Sequence, residues 1–183
     1  SIADADQLLS TFSSLLRIAR IEAGGVKANI KLVNLAPLVE DAVDLYEAVA
    51  ETKQIKLNAE LANDAAVFGD RDMLFQVITN LLDNAIKYTQ QGGEVTITVS
   101  QENELVKMEI ADNGPGIPAE EYGSIMQRFY RLDQSRNSTG SGLGLSLVEA
   151  VVKLHYAKLA FSNNNPGLRV TISFNPQAWR QFA

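Results

Sequence analysis

One segment restricts the fold more than any other. Over Arg71–Thr89, the residues Leu74, Val77, Ile78, Leu81, Leu82 and Ala85 recur at spacings of three and four, so one face of a helix must be buried. Short alternating runs flank it: Gln54–Leu61 and Ala65–Asp70 before, Glu94–Gln101 and Glu104–Ala111 after, the last two joined at Glu102-Asn103. Strands of this kind are half-buried and need a layer on one face. A second amphipathic helix, Leu35–Glu51, carries Leu38, Val39, Ala42, Val43, Leu45, Tyr46 and Val49, with Pro37 near its start. Gly142–His155 is helical again, and Ala157–Ser162 pairs with Leu168–Phe174 as a last strand pair. Pro118–Met126 reads as a short helix and Arg131–Ser141, polar and without period, as a mobile loop. Together these predict an α+β two-layer sandwich, a mixed and mostly antiparallel β-sheet packed on helices, preceded by one long N-terminal helix.

That first helix runs over Ile2–Ala23 and stops at Gly24-Gly25. Ala5, Leu8, Leu9, Phe12, Leu15, Leu16 and Ala19 form a heptad-like seam too apolar to be left in water. Two partners would cover it: the chain's own domain, or a second helix of a helical hairpin.

Composition removes several function classes. Sixteen Lys and Arg against 22 Asp and Glu leave a net charge of -6, with no long basic run, so the charge that neutralises nucleic-acid phosphates is missing. Cysteine is absent and His155 is the only histidine, which excludes a disulfide framework and thiolate or multi-histidine metal centres. No apolar run approaches the roughly 20 residues that span a bilayer. The expected protein is soluble, acidic and cytoplasmic, and its chemistry must come from glycines, amides and carboxylates.

Three places carry such groups. At about 3.6 residues per turn, Asn80, Asn84 and Lys87 cluster on a flank of the third helix away from its buried stripe, with Tyr88 beside them. Two amides at i and i+4 offer two carbonyl oxygens to one hard cation, a lysine one turn on meets phosphate, and a tyrosine ring can lie against a purine; a solvated polar flank would look the same. Asp112-Asn113-Gly114-Pro115-Gly116-Ile117-Pro118 follows a strand directly, and its carboxylate could accept from an exocyclic amine, favouring adenine over guanine, or simply cap a tight turn. Gly140-Ser141-Gly142-Leu143-Gly144-Leu145-Ser146 stands at a loop-to-helix junction, where successive N–H groups cradle an anion. It matches neither a P-loop nor a dinucleotide fingerprint, and a flexible linker is its bland reading. Between the last two lie Arg128, Phe129 and Arg131, with Arg136 just beyond, cations for phosphate or for surface ion pairs.

Taken in order, NLLDNAIKYT, DNGPGIP, RFYRLD and GSGLGLS resemble the N, G1, F and G2 boxes of bacterial sensor histidine kinases. GDRDMLFQVITN resembles the approach to the N box, VEAVVKLH the helix after G2, and LLSTFSSLLRIARIEAG the second helix of the dimerisation and phosphoacceptor hairpin. The resemblance implies the GHKL ATPase sandwich, with residues 1–25 as part of the hairpin and 26–183 as the catalytic ATP-binding domain. It implies ATP and Mg²⁺ as cofactors, with Asn84 and in the same site Asn80 on the metal, Lys87 on phosphates, Tyr88 near adenine and Asp112 accepting from the adenine amino group. Gly114, Gly116 and Ile117 would support that acceptor, and Gly140, Gly142, Leu143, Gly144 and Leu145 would wrap the phosphates. Thr171 is carried over as a further nucleotide contact, and Arg131 would meet the γ-phosphate or act across a domain interface. A lid would span roughly Ala119–Ser141. Asn80, Lys87 and Arg131 are the implied catalytic residues.

The resemblance also implies transfer of the γ-phosphoryl group to a histidine on a hairpin helix absent from this chain, then to a response-regulator receiver aspartate. The full-length protein would be a homodimer, this part a cytoplasmic domain anchored through the inner membrane, with no nucleic-acid partner. The alternative is a GHKL ATPase or nucleotide-binding module without histidine transfer; hydrolysing members carry glutamate where this chain has Asn80. Three departures stand out. His155 matches a structural histidine, not a phosphoacceptor; Tyr156-Ala157 replaces a common Gly-Gly; and Met126 stands where phenylalanine is frequent.

Overall fold

The computed structural model describes residues 1–132 and 140–178 of the chain. Its framework is a five-stranded sheet in the order β2 (Lys56–Leu61), β4 (Glu94–Glu102), β5 (Leu105–Asp112), β7 (Leu168–Phe174) and β6 (Lys158–Asn163). Strands β4 and β5 form an antiparallel hairpin. Its turn is at Asn103, with φ 55°, and Glu104, one residue beyond the expected tip. Strand β7 pairs antiparallel with both β5 and β6. Strand β2 alone runs parallel, beside β4, because the chain between them passes through a helix long enough for a crossover. The sheet is therefore mixed and mostly antiparallel, as expected.

Burial alternates along each central strand. Val95, Ile97 and Val99, then Val106, Met108, Ile110 and Asp112, then Val170, Ile172 and Phe174 all face inward. Against this face lie α2 (Leu35–Thr52), α3 (Arg71–Tyr88) and α4 (Gly144–Leu154), whose apolar residues complete one core. The stripe on α3 is buried as its period requires, from Met73 and Leu74 to Ala85 and Ile86. Asp70 caps it, accepting from the N–H groups of Asp72 and Met73 at 3.1 Å. At the other end the Lys53 ammonium donates to the carbonyls of Ile86 and Lys87, both at 2.8 Å. Both ends of the helix that carries the amide flank are thus held.

Two elements differ from expectation. A short ribbon, β1 (Ile30–Asn34) antiparallel to β3 (Ala66–Asp70), includes a strand to which the sequence analysis assigns nothing. Pro118–Met126 is not a helix but two separate 3₁₀ turns, Ala119–Glu121 and Ser124–Met126, with Gly123 between them. The loop expected over Arg131–Ser141 falls largely at 133–139, outside the described residues, as does Arg136.

The N-terminal helix α1 (Ile2–Glu22) packs on α4, with only Leu15 of its leucine seam turned to the core. Ile18 and Ile21 are buried there, while Leu8, Leu9, Phe12 and Leu16 remain exposed. The contact ends on an ion pair between Glu22 and Arg128. Of the seam, Leu15 packs against the chain's own domain, while Leu8, Leu9, Phe12 and Leu16 meet nothing there. No helix among the described residues is long and apolar enough to cross a membrane.

His155 closes α4 onto the rest of the fold. Its Nδ1–H donates to the Val151 carbonyl at 2.8 Å, and its Nε2 accepts from the Asp70 N–H at 2.9 Å. A neutral ring is required, and burial holds the imidazole below its ordinary value although the Val151 bond and the Asp70 carboxylate pull the other way. The unfolded chain then binds a proton that the folded chain refuses, so stability is full above pH about 6.5 and declines as pH falls below it. Thermal melts should show a flat midpoint from pH 8 to 7 and a falling one from about pH 6.5 to 5.5. His155→Gln should be less stable at pH 8 but flat across that lower window. The next residue, Tyr156, adopts φ 52° and is half exposed. Its N–H bonds to the Lys153 carbonyl at 3.0 Å and that of Ala157 to Val152 at 3.1 Å, so the αL termination where glycine is usual is made by a tyrosine.

Candidate functional site

Because α3 buries its apolar stripe in the core, its opposite flank is turned to a cavity of about 560 Å³, well within the range that small ligands fill. Asn80, Asn84, Lys87 and Tyr88 all line it. Asn80 Nδ2 reaches the Gly144 carbonyl at 3.5 Å, and Lys87 Nζ lies 3.5 Å from Asp83 Oδ2 one turn back. The same ammonium approaches Gly140 so closely that a Cβ there would stand 3.1 Å from it.

Asp112 is the inward residue that ends β5, and it reaches the cavity from the sheet side. It is 8% exposed. Its Oδ1 accepts from the N–H groups of Gly114 at 2.9 Å and Leu168 at 3.3 Å, while its backbone carbonyl accepts from Asn164 at 2.8 Å. Oδ2 takes no hydrogen bond among the described residues. Burial pushes the Asp112 carboxyl up, and the two backbone donors hold it partly back. Ile110, Leu168 and Val170 line the same cavity, so its sheet side is apolar and carries one fixed acceptor, Asp112.

The glycine segment closes the far side. Gly140, Gly142, Leu143, Gly144 and Leu145 line the cavity where α4 begins, and no side chain caps that helix. Its first N–H groups are therefore available to an anion. Gly142, at φ 73°, lies against the Phe129 backbone, which a Cβ would meet at 2.8 Å, and the Phe129 N–H donates to the Gly142 carbonyl at 3.1 Å. Arg131 lines the same region and donates from Nη1 to the Gly140 carbonyl at 3.0 Å. Gly116 and Ile117 also line the cavity, and Gly114 supports Asp112 from behind.

One expected residue lies elsewhere. Thr171 has the opposite parity to Val170 and Ile172, so its side chain stands on the outer face of the sheet. There its hydroxyl donates to Glu109 Oε2 at 3.1 Å. Conversely, several lining residues escaped the sequence analysis, Asp83 among them. Gln7, Ser10 and Ser14 form a polar stripe on α1, and Gln76 sits one turn before Asn80 with a buried Oε1 that has no partner among the described residues. Helical spacing from Asn80 and from Ile18 would have found them.

The donor set bears on a metal. Among the described residues no three acidic, histidine or cysteine side chains gather. Asn80 and Asn84 offer two neutral amide oxygens one turn apart, which suit a hard cation that draws its other ligands from water and phosphate.

Residues 69–178, more than half the chain, match the model for the histidine kinase-, DNA gyrase B- and HSP90-like ATPases. The chain belongs to this ATPase family. Among similar proteins, the signal transduction histidine-protein kinase BaeS of Escherichia coli strain K12 is 31% identical over 173 residues, covering 93% of this chain and 37% of BaeS. The adaptive-response sensory kinase SasA of Crocosphaera subtropica is 36% identical over 129 residues, covering 69% of this chain and 34% of SasA. The chain thus spans a little over a third of the length of these relatives. The solved catalytic domain of histidine kinase ThkA superposes with a TM-score of 0.74 at 27% identity, over 81% of this chain and 96% of that one. Membership of this family supports ATP use by the domain. The cavity itself has two ends of different chemistry, an apolar recess with Asp112 and a polar end with Asn80, Asn84 and Lys87.

Proposed function

We propose that this chain is the ATP-binding catalytic part of a sensor histidine kinase, with residues 1–25 as the second helix of the dimerisation hairpin and 26–183 as the catalytic domain. One observation carries the reading: the amide row of α3, the acceptor Asp112 and the glycine turn before α4 all border a single cavity. Adenine enters the recess and donates its amino group to Asp112, directly and through water, while Tyr88 borders the base. Lys87 and the open N-terminus of α4 take phosphate oxygens, and Arg131 meets the terminal phosphate. Mg²⁺, held by Asn84 and in the same site Asn80, would supply charge neutralisation on the phosphates.

Little covalent work falls to these residues. They orient the terminal phosphoryl group toward an incoming imidazole, whose lone pair forms the N–P bond as the bond to the bridging oxygen breaks and ADP leaves. The acceptor histidine comes from a hairpin helix of the same protein, and a receiver aspartate takes the group on. Dimerisation through the hairpin and anchoring at the inner membrane complete the proposal. An amide cannot serve as a base toward water, so Asn80 disfavours the alternative of simple hydrolysis.

The test is phosphotransfer in trans. With labelled Mg·ATP and the phosphoacceptor hairpin supplied separately, an acid-labile phosphohistidine should form on the hairpin. The chain alone should stay unlabelled, and Asn84→Ala should reduce transfer by about a hundredfold or more. Stable label on His155, or steady ATP turnover without the hairpin, would overturn the assignment.

A further inference from the structure

Four charged side chains line the cavity among the described residues: Asp83, Lys87, Asp112 and Arg131. Asp112 belongs to the recess at the end of β5, which leaves Asp83 as the one carboxylate at the end formed by Asn80, Asn84 and Lys87. It is adjacent in sequence to Asn84 and one turn before Lys87, whose Nζ lies 3.5 Å from its Oδ2. The pair is unequal in exposure, 23% for Lys87 and 47% for Asp83. A fixed negative charge in a phosphate-binding region works against the ligand, and it also claims part of the one lysine the ligand needs. We propose that Asp83 is a specificity-determining residue that makes the site discriminate metal-bound from metal-free triphosphate. The inference rests on the nucleotide reading above and goes beyond it, since it assigns a role to a residue outside the implied ligand set.

The physical basis is a difference of charge. Metal-free ATP brings about four negative charges to the site and its magnesium complex about two, so a carboxylate nearby repels the first more than the second. Lys87 offsets part of this repulsion but is shared: while it faces Asp83 it is not wholly available to phosphate. With Mg²⁺ present the phosphates ask less of Lys87, and the carboxylate can accept from water on the metal instead of opposing it. Partial exposure screens each of these effects, so the discrimination is a matter of a few fold per charge and not of orders of magnitude.

Calorimetric titration of the whole chain with ATP, once in excess Mg²⁺ and once in a chelator, reads the ratio of the two affinities. Asp83→Asn should lower that ratio about fivefold, chiefly by tightening the metal-free form. Asp83→Glu should keep the ratio near that of the unaltered chain, and thermal melts should show both variants folded. In Asp83→Asn/Lys87→Met the two effects should fail to add, because the pair acts as a unit. If Asp83→Asn binds ATP but leaves the ratio unchanged, the role assigned to Asp83 is overturned while the nucleotide reading stands. If the unaltered chain binds neither form, both fall.

Discussion

Asp112→Asn should weaken ATP binding by about a hundredfold, read by calorimetry or by displacement of a fluorescent adenine nucleotide. The change is nearly isosteric. An asparagine oxygen can still accept from the N–H groups of Gly114 and Leu168, as Oδ1 of Asp112 does, so the local turn need not rearrange. What is lost is the second acceptor. Its place is taken by an N–H₂ group that points a donor at the adenine amino group, itself a donor. Guanine, with a carbonyl at that position, suffers no such clash, so the preference for ATP over GTP should shrink by more than the affinity of either alone would suggest. Binding of ATP within a few fold of the unaltered chain would remove Asp112 from the recognition site.

Gly167→Ala should destabilise the fold by about 3 kcal/mol or more and lower the melting midpoint by about 10 °C. Gly167 has φ 110°, a region side chains rarely enter, and a Cβ there would stand 1.8 Å from the Asp112 carbonyl oxygen. Neither backbone can yield easily. The Asp112 carbonyl is already bonded to Asn164, and Leu168, the next residue, donates to the Asp112 carboxylate. Gly116 approaches the same loop, since its own Cβ would lie 3.0 Å from the Gly167 carbonyl. Nucleotide affinity should fall together with stability, because the displaced residue is the acceptor itself. Gly123→Ala is the control: that glycine has φ -69° and open space where the methyl would go, and its substitution should leave the midpoint unchanged.

How far the sequence could be read depended on whether a residue's role is written in a period. The helices and the central strands were legible because burial repeats at about 3.6 or 2 residues along them. The row Asn80, Asn84 and Lys87 was legible for the same reason, as a flank left over once the stripe of α3 was assigned. Strand β1 was not, since only Val33 of its five residues is buried, Leu32 is exposed, and its partner lies more than thirty residues on. The pair of 3₁₀ turns near residue 120 has no period either, and Gly123 divides what looked like one helix. Thr171 came from resemblance and not from parity; the alternation of Val170, Ile172 and Phe174 already turns it away from the cavity. The seam on α1 is apolar, but only Leu15 of it turns to the core, and the mixed stripe of Gln7, Ser10, Ser14, Ile18 and Ile21 that faces the domain gives no hydrophobic signal.

That stripe makes α1 a lever with its fulcrum at one end. Ile18 and Ile21 grip α4, Glu22 is tied to Arg128, and Leu8, Leu9, Phe12 and Leu16 are left to any neighbour that would hold them. A torque applied through those leucines cannot spin the rod freely, because each residue of twist swings its neighbours by about 100° and would tear the isoleucines from their seat. Glu22 and Arg128 stand at the same end of the helix as that contact, while Gln7, Ser10 and Ser14 further along the same helix wall the cavity.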